Sequence, residues 1–442
     1  MSLKLLHLSD IHFKYLLDGT PHDLDHDVRN ELKIDVLRVV KQTGTIDAII
    51  VTGDIAFSGK SDEYKTAKNW LAELCAHVGC EIKNIWVVPG NHDIDRDCLT
   101  EIVRFVQEQI QNAPLSDLDK RIRKFIHEDP AGAAVLTSPL AEYYKFAAIY
   151  GCSPLDGVLA WQDDLLINMG YRIRLVGLNS ALVSNNHDHA ARRPLVLGQA
   201  QLDMPRTAGR LYVTLCHHPM SWLKDAEPVG DKLLYRSSLQ LYGHVHEQAL
   251  EQRNGTLIVQ AGALQPERHE DPWYPSYNVL TLEIVETGNR HVLSVTAYPR
   301  IWSHEHHFAP DPSSGEAGYL HYILPIDEAS MLGCTSDGGQ PDDTQILENS
   351  APERELEYSM SNPVKQLVYG FLTLPYSKQI RIANRLSLLA DEDAGLTSAS
   401  LFKRIFERAR EQACLHELWV AVQKAQPGLD MTDNPYTTSG KK

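Results

Sequence analysis

Asn84-Ile85-Trp86-Val87-Val88-Pro89-Gly90-Asn91-His92-Asp93 passes from an apolar run into a polar cluster within a single stretch. The run is short and β-branched and stops at a Pro-Gly turn, the pattern of a buried strand. Asn91, His92 and Asp93 then offer an amide oxygen, an imidazole and a carboxylate, groups that bind metals or move protons. The arrangement recurs: Leu3 to Ser9 leads into Asp10-Ile11-His12, Asp47 to Thr52 into Gly53-Asp54, Leu211 to Cys216 into His217-His218-Pro219, and Leu239 to Tyr242 into Gly243-His244-Val245-His246. In layered α/β folds the carboxyl ends of neighbouring strands converge on one rigid edge. Polar residues at every strand end therefore predict one site.

Spacing adds chemistry. In an extended segment residues two apart point the same way, so Asp10 with His12, and His244 with His246, make chelating arms. Gly53 and Gly243 precede ligand-type residues where a side chain would crowd an ion. Asp54 has two oxygens and can bridge two cations, whereas Asn91 offers one neutral oxygen and suits one.

The five motifs in this order resemble the calcineurin-like metallophosphoesterase superfamily over roughly residues 1–327. The resemblance implies an α/β fold, a four-layer α-β-β-α sandwich, and two divalent ions. Asp10, His12, Asp54 and His246 would hold the first ion, and Asp54, Asn91, His217 and His244 the second. His92 binds no metal in that family and faces the scissile phosphate, so the catalytic residues are His92 and the bridging Asp54. Two divalent ions roughly 3.5–4 Å apart lower the pKa of a bridging water and neutralise phosphate oxygens. Hydroxide would then attack in line while His92 donates a proton to the leaving oxygen or stabilises its charge. Asp93 either orients His92 or caps the next segment. Mixed oxygen and imidazole ligation accommodates Mn²⁺, Fe, Zn²⁺ or Ni²⁺ and does not choose among them; Mn²⁺ is the leading expectation.

Other polar groups are read more plainly. Arg96, Arg192 and Arg193 have forks that suit phosphate, but solvated loop charge explains each more simply. Asn179, ending the run Arg174 to Leu178, is a candidate to support the ligands. His187, His189, His304, His306 and His307 lack a strand-end context and are expected on the surface or in the core, and Cys216 in the core.

Helical periodicity at Val28 to Lys41 and Glu63 to Val78 alternates with the first strands, as β-α-β folds require. Residues 99–150 break that rhythm and are expected as a helical insertion or cap. Gly255 to Val259, Tyr277 to Val285 and His291 to Tyr298 are expected to complete a second sheet, with a hairpin at Glu286-Thr287-Gly288-Asn289, and Tyr319 to Pro325 to close the domain. Residues 328–361, with Asp337, Asp342, Asp343, Glu348, Glu353, Glu355 and Glu357 against Arg354, are expected as a flexible acidic linker.

Over 362–427 the helical period returns. Val364, Leu367, Val368, Phe371 and Leu372 make one stripe, Leu401, Phe402, Ile405, Phe406 and Ala409 another, and Leu415, Leu418, Trp419 and Val422 a third, with Ser377 to Ala390 between the first two and Thr397 or Ser398 as a cap. These predict a small all-α bundle succeeded by a disordered tail, 428–442. The segments Phe371 to Pro375, Ile380 to Leu389, Leu401 to Arg408 and Leu415 to Trp419 resemble bacterial effector-associated, death-like adaptor domains. That resemblance implies recruitment to a partner protein in a signalling or defence complex; joining copies of the chain is the plainer alternative.

With 442 residues, 43% of them hydrophobic, the chain can bury more than one core. No run reaches the roughly 20 apolar residues of a membrane span, and seven cysteines without paired spacing favour a reducing compartment, so the expectation is a cytoplasmic protein without membrane contact. A net charge of −16 without a basic stripe disfavours a grip on long duplex DNA. The leading expectation is a dinuclear-metal phosphodiesterase acting on a nucleotide or short nucleic acid. The alternatives are a nuclease similar to the Mre11/SbcD branch, or a non-catalytic scaffold that works through its C-terminal bundle.

Overall fold

Three runs that carry almost no charge become central strands: β1 (Leu3–Leu8), β2 (Ala48–Val51) and β3 (Ile85–Val87), paired in parallel. Parallel neighbours need a crossover, which the helices α1 (His26–Thr43) and α2 (Ser61–Val78) supply. The computed structural model describes residues 2–14, 25–153, 159–186, 188, 194–267, 270, 273–288, 290–331, 367, 371, 374, 376–390 and 398–425. Its two units are Met1–Ser336 and Asp337–Lys442.

In the first unit, the free edge of β1 pairs antiparallel with β10 (Ser276–Thr287), and β10 with β11 (Arg290–Trp302). β12 (Phe308–Pro310) and β13 (Leu320–Pro325) share the far edge of β11. The second sheet runs β4 (Trp161–Leu166), β5 (Arg172–Gly177), β6 (Arg210–Leu215), β7 (Leu239–Tyr242), β9 (Thr256–Gln260), β8 (Ala249–Arg253), with β5, β6, β7 and β9 parallel. Of the three late runs expected in the second sheet, only β9 joins it. β10 and β11 instead extend the first sheet, because the register Leu3↔Leu282 to His7↔Asn278 satisfies the otherwise open edge of β1. The hairpin between them is tight, Thr287 facing Arg290, although Asn289 lies outside the described residues.

Alternation along β6 reveals the layers. Leu211, Val213 and Leu215 belong to the core shared with β1, β2, β3 and β10, while Tyr212 belongs to a second core beneath α3 (Glu101–Gln111), α4 (Leu115–His127), α5 (Pro130–Thr137) and α7 (Ala226–Arg236). Helices cover most of residues 99–150. Their buried positions Val103, Leu118, Ile122 and Leu136 pack into these cores, and α6 (Ala141–Ala148) stacks Phe146 on Tyr64 of α2 at 5.1 Å. Two sheets between two helical layers make an α/β sandwich.

In the second unit, α8 (Tyr376–Arg385), α9 (Ser398–Glu411) and α10 (Leu415–Ala425) close with Leu367 and Phe371 around Leu418, Trp419 and Val422. Phe371 meets Phe402 and Phe406 edge-on, at 5.8 and 5.3 Å. Of the expected linker, Glu328–Ser330 form a short helical turn in which Ser330 O accepts the Gly209 N–H at 2.9 Å, and of the expected cap Ser398 opens its helix, while Thr397, residues 332–366 and the tail 428–442 lie outside the described residues. Among the described residues no helix is long and apolar enough to cross a membrane.

One buried ion pair pins the outer helix to the first sheet. Arg300 of β11 donates Nε–H and Nη2–H to the two oxygens of Asp35 on α1, at 2.8 and 2.7 Å, and the Tyr277 hydroxyl donates to Asp35 at 2.6 Å. Asp35 is fully buried, so removing it strands a cation. Asp35→Ala is expected to lower unfolding stability by about 3–5 kcal/mol in urea titrations; a midpoint equal to wild type would show that the pair does not hold α1 in place.

Candidate metal centre

The sheets deliver their polar ends through continued backbone pairing. Beyond β1 and β2, Asp10 N–H donates to Gly53 O at 3.1 Å and His12 N–H to Asp54 O at 3.0 Å; beyond β6 and β7, Gly243 N–H donates to His217 O at 3.1 Å. The chain then bends sharply. Asp10, His12, Asp54, His244 and His246 all take left-handed backbone, with φ of 53°, 52°, 50°, 74° and 61°. Asp and His enter that region more readily than most residues, yet each costs on the order of 1–3 kcal/mol. Three glycines give the clearance. A Cβ on Gly53 (φ 93°) would lie 2.6 Å from His217 Nδ1, one on Gly90 2.1 Å from Asp54 Oδ1, and one on Gly243 2.0 Å from Ser9 Oγ.

All seven expected ligands, with His92 and His218, come together. The ligand atoms form overlapping groups: Asp10, His12 and His246; His12, Asp54 and His92; Asp10, Asp54 and His217; and His217, His218 and His244, each within 4.8 Å. Asp54 sits where these groups meet, its Oδ2 3.3 Å from His12 Nε2 and 3.4 Å from His217 Nε2, while its Oδ1 accepts the His92 backbone N–H at 2.7 Å. Asp10 Oδ1 is 3.1 Å from His246 Nε2, and Asn91 Oδ1 is 3.2 Å from His217 Nε2.

Whether cations fit is decided by where the protons are. His217 donates Nδ1–H to Thr52 O at 2.7 Å, His12 donates Nδ1–H to Gln265 O at 3.3 Å, and His246 donates Nδ1–H to the Glu270 carboxylate at 2.9 Å. Each ring, when neutral, therefore turns a bare Nε2 lone pair toward carboxylate or amide oxygen. Acceptor faces acceptor, an arrangement that only a cation or extra protons can relieve. The donors fit divalent ions.

Electrostatics agree. Burial by itself disfavours every charge here, but the neighbouring imidazoles hold the Asp10 and Asp54 carboxyls well below the usual carboxylate range. Against the same burial penalty, Asp54 lifts His217 to about 9, and Asp10 with Glu270 lifts His246 to about 10. His244, buried beside His217, is pushed down to about 3, and His218 falls well below its ordinary value from burial and the neighbouring His244.

His92 Nδ1–H donates to Phe57 O at 2.8 Å, which leaves Nε2 as its working atom. Asp93 neither orients His92 nor caps a helix. It accepts from the backbone N–H groups of Gly90 (2.9 Å), Ile55 (3.1 Å) and Ala56 (3.0 Å) and from the Tyr64 hydroxyl (3.0 Å), tying the loops after β2 and β3 together. Asn179 is occupied elsewhere, with Gln201, Tyr144 and Ala181. Arg96 is exposed in a short turn, close enough for its charge to bear on His92. His304, His306 and His307 lie in the turn between β11 and β12 and belong to none of the groups of ligand atoms; Arg192, Arg193, His187 and His189 lie outside the described residues. Sequence reasoning misses Glu270, which carries no strand-end signal, Ser180, which follows Asn179 and lies 2.9 Å from His218 Nδ1, and Trp222, whose ring centroid is 4.1 Å from that of His244, and it gives His218 no task although its motif is in view.

This geometry generates two expected outcomes. Glu270→Gln, which leaves His246 without its charged partner, is expected to weaken divalent-metal affinity 10- to 100-fold by calorimetric titration while the fold survives. A pH profile tests the proton balance. Imidazoles whose folded pKa lies above 6.5 contribute stability present below pH 6.5 and lost as pH rises through it, so chelated protein should lose thermal stability between pH 6.5 and about 10. Added divalent metal should flatten that slope, and a slope unchanged by metal would contradict ions at this site.

Comparison with known proteins respects the same division of the chain. Residues 363–424 match the GTPase-associated adaptor domain, in line with the resemblance read from the helical stripes, and residues 3–248 match the calcineurin-like phosphoesterases. The chain is 24% identical over 344 residues to the uncharacterized metallophosphoesterase-like protein YydB of Bacillus subtilis, covering 73% of this chain and 65% of that one. It is 26% identical over 199 residues to the glycerophosphodiester phosphodiesterase GpdQ of Enterobacter lignolyticus, covering 45% of this chain and 60% of that one. It thus spans 65% and 60% of the length of these curated relatives. Among solved structures it is similar to a conserved uncharacterized protein, a predicted phosphoesterase, from Streptococcus pneumoniae TIGR4, at 12% identity and a TM-score of 0.27 over 73% of this chain and 98% of that one. With a match that runs unbroken past all five motifs and over more than half its length, the chain belongs to the calcineurin-like phosphoesterase family, in which divalent metal binding is the rule.

Proposed function

We propose that this protein is a phosphodiesterase that uses two divalent ions, Mn²⁺ foremost, to hydrolyse a nucleotide-type phosphodiester. The observation that carries the reading is Asp54 Oδ2, placed within 3.4 Å of both His12 Nε2 and His217 Nε2, one imidazole from each expected ion set. Asp10, His12, Asp54 and His246 would hold one ion, and Asp54, Asn91, His217 and His244 the other. When bound, such a pair supplies an acidified water and neutralises phosphate charge. His92, with Nδ1–H anchored on the Phe57 carbonyl, presents Nε2 to the leaving oxygen, and the negative phosphate beside it favours the imidazolium needed to give up a proton. The glycerophosphodiester phosphodiesterase among the relatives supports a diester substrate. The domain organisation we propose is a catalytic domain over 1–327, an acidic linker over 328–361, and a helical domain over 362–427 that recruits a partner protein; the adaptor match supports that last role.

Purified protein loaded with Mn²⁺ is expected to hydrolyse bis-p-nitrophenyl phosphate. His92→Ala should retain its metal and lose turnover by about 10²- to 10⁴-fold; full turnover in that variant would remove His92 from the reaction. Cyclic nucleotides, cyclic dinucleotides and single- and double-stranded DNA, read by mass spectrometry, name the substrate, and cleavage of DNA alone would move the reading to a nuclease.

A further inference from the structure

His218 is the imidazole in the cluster that the expected ligand set leaves without a task. Its ring is fully buried, with centroids 4.7 Å from His217, 4.4 Å from His244 and 6.1 Å from Trp222. A residue needed only to fill this space would be apolar, since a buried imidazole must find partners for its nitrogens. His218 has both. Ser180 Oγ accepts the His218 backbone N–H at 3.2 Å and lies 2.9 Å from His218 Nδ1.

While its oxygen accepts that backbone N–H, the Ser180 hydroxyl can give its own proton to Nδ1, and in that arrangement the ring hydrogen sits on Nε2. His218 Nε2 is 3.1 Å from Asn91 Oδ1, a distance at which Nε2–H donates to the amide oxygen. Rotating that amide by half a turn would set N–H against N–H. The preferred orientation keeps Oδ1 toward His217 Nε2, 3.2 Å away, where the second expected ion would lie. An oxygen has a lone pair left for a cation after accepting one hydrogen bond; an amide nitrogen has none to offer.

We infer that His218, oriented by Ser180, is a positioning residue that selects the oxygen face of Asn91 for the second ion and thereby sets the affinity of that ion. The inference rests on the dinuclear reading proposed above, and the test separates the two.

Metal-free wild type, His218→Leu, His218→Gln and Ser180→Ala are titrated with Mn²⁺ by calorimetry, with bound metal counted by elemental analysis. Wild type is expected to bind two ions. His218→Leu should weaken one of them about 10- to 100-fold and spare the other, with the thermal midpoint of the metal-free protein near that of wild type. His218→Gln, whose carboxamide N–H can still donate toward Asn91, should recover much of the loss, and excess Mn²⁺ should restore turnover to the Leu variant because occupancy is what it lacks. Ser180→Ala removes only a hydroxyl and should weaken the same ion severalfold, which keeps the test alive if the Leu variant does not fold. Two ions bound to the variants at wild-type affinity would overturn the role of His218 and leave the dinuclear reading standing. Equal weakening of both ions, together with a lowered metal-free midpoint, would reduce His218 to packing. A wild type that takes up a single ion overturns the dinuclear reading itself, and that result needs no variant to be seen.

Discussion

Asp54 has no proton to share with the histidines around it. Three of those rings give their Nδ1–H to Thr52, Gln265 and Glu270, so their remaining lone pairs are aimed at carboxylate and amide oxygen. This opposition of acceptors is unfavourable unless positive charge lies between them. Two peptide carbonyls and one carboxylate, all outside the expected ligand set, thus decide what the ligands can do. They fix which nitrogen of each ring faces inward.

The scaffold tolerates this because the strain is local and the support is not. Five residues in left-handed backbone sit directly beyond ladders that continue the parallel sheets, so each bend starts from a fixed point. Asp93 adds a cross-brace. Fully buried and pushed up to about 7 by burial and by the neighbouring Asp54, it gathers three backbone N–H groups from two loops and the Tyr64 hydroxyl. Gly53, Gly90 and Gly243 complete the arrangement by omission, because a methyl group at any of them would occupy space held by His217, Asp54 or Ser9.

Much of this is legible in the sequence, and the rest is hidden for physical reasons. Strands β1, β2, β3, β6 and β7 are buried on both faces along most of their length, so they stand out as mostly apolar runs, and the ligand-type residues can be located by the strand each one ends. β4 escapes notice because an edge strand needs no apolar face: Trp161-Gln162-Asp163-Asp164-Leu165-Leu166 carries no apolar alternation, yet it pairs along its length with β5. The sheet that β10 and β11 join is misassigned for a related reason, since period-two alternation gives a face but never a partner. Glu270 sits in a stretch without periodicity and reaches His246 across 24 positions, a contact that only the folded chain creates. Asp93 stands out but misleads, because its place beside His92 in the sequence suggests a bond that the loop geometry gives to backbone amides.

Charge explains how an acidic chain can favour an anionic substrate. The expected ligands contribute two negative charges, Asp10 and Asp54, since Asn91 and the four histidines are neutral when they bind metal. On the proposed dinuclear reading, two divalent ions would bring four positive charges, which leaves the centre at about +2 before a bridging water gives up its proton and about +1 after, despite a chain total of −16. A site built from more carboxylates would cancel that excess and with it the pull on phosphate. A diester, with one charge, would leave the centre neutral or still positive, so that the ions could stabilise the extra negative charge that gathers on phosphorus-bound oxygens as the bond breaks. A monoester dianion would neutralise the centre on binding and tie up in the ground state the attraction that the transition state needs. On the dinuclear reading proposed above, the ratio of imidazole to carboxylate around Asp54 would thus favour diesters on the same physical ground that admits the metal.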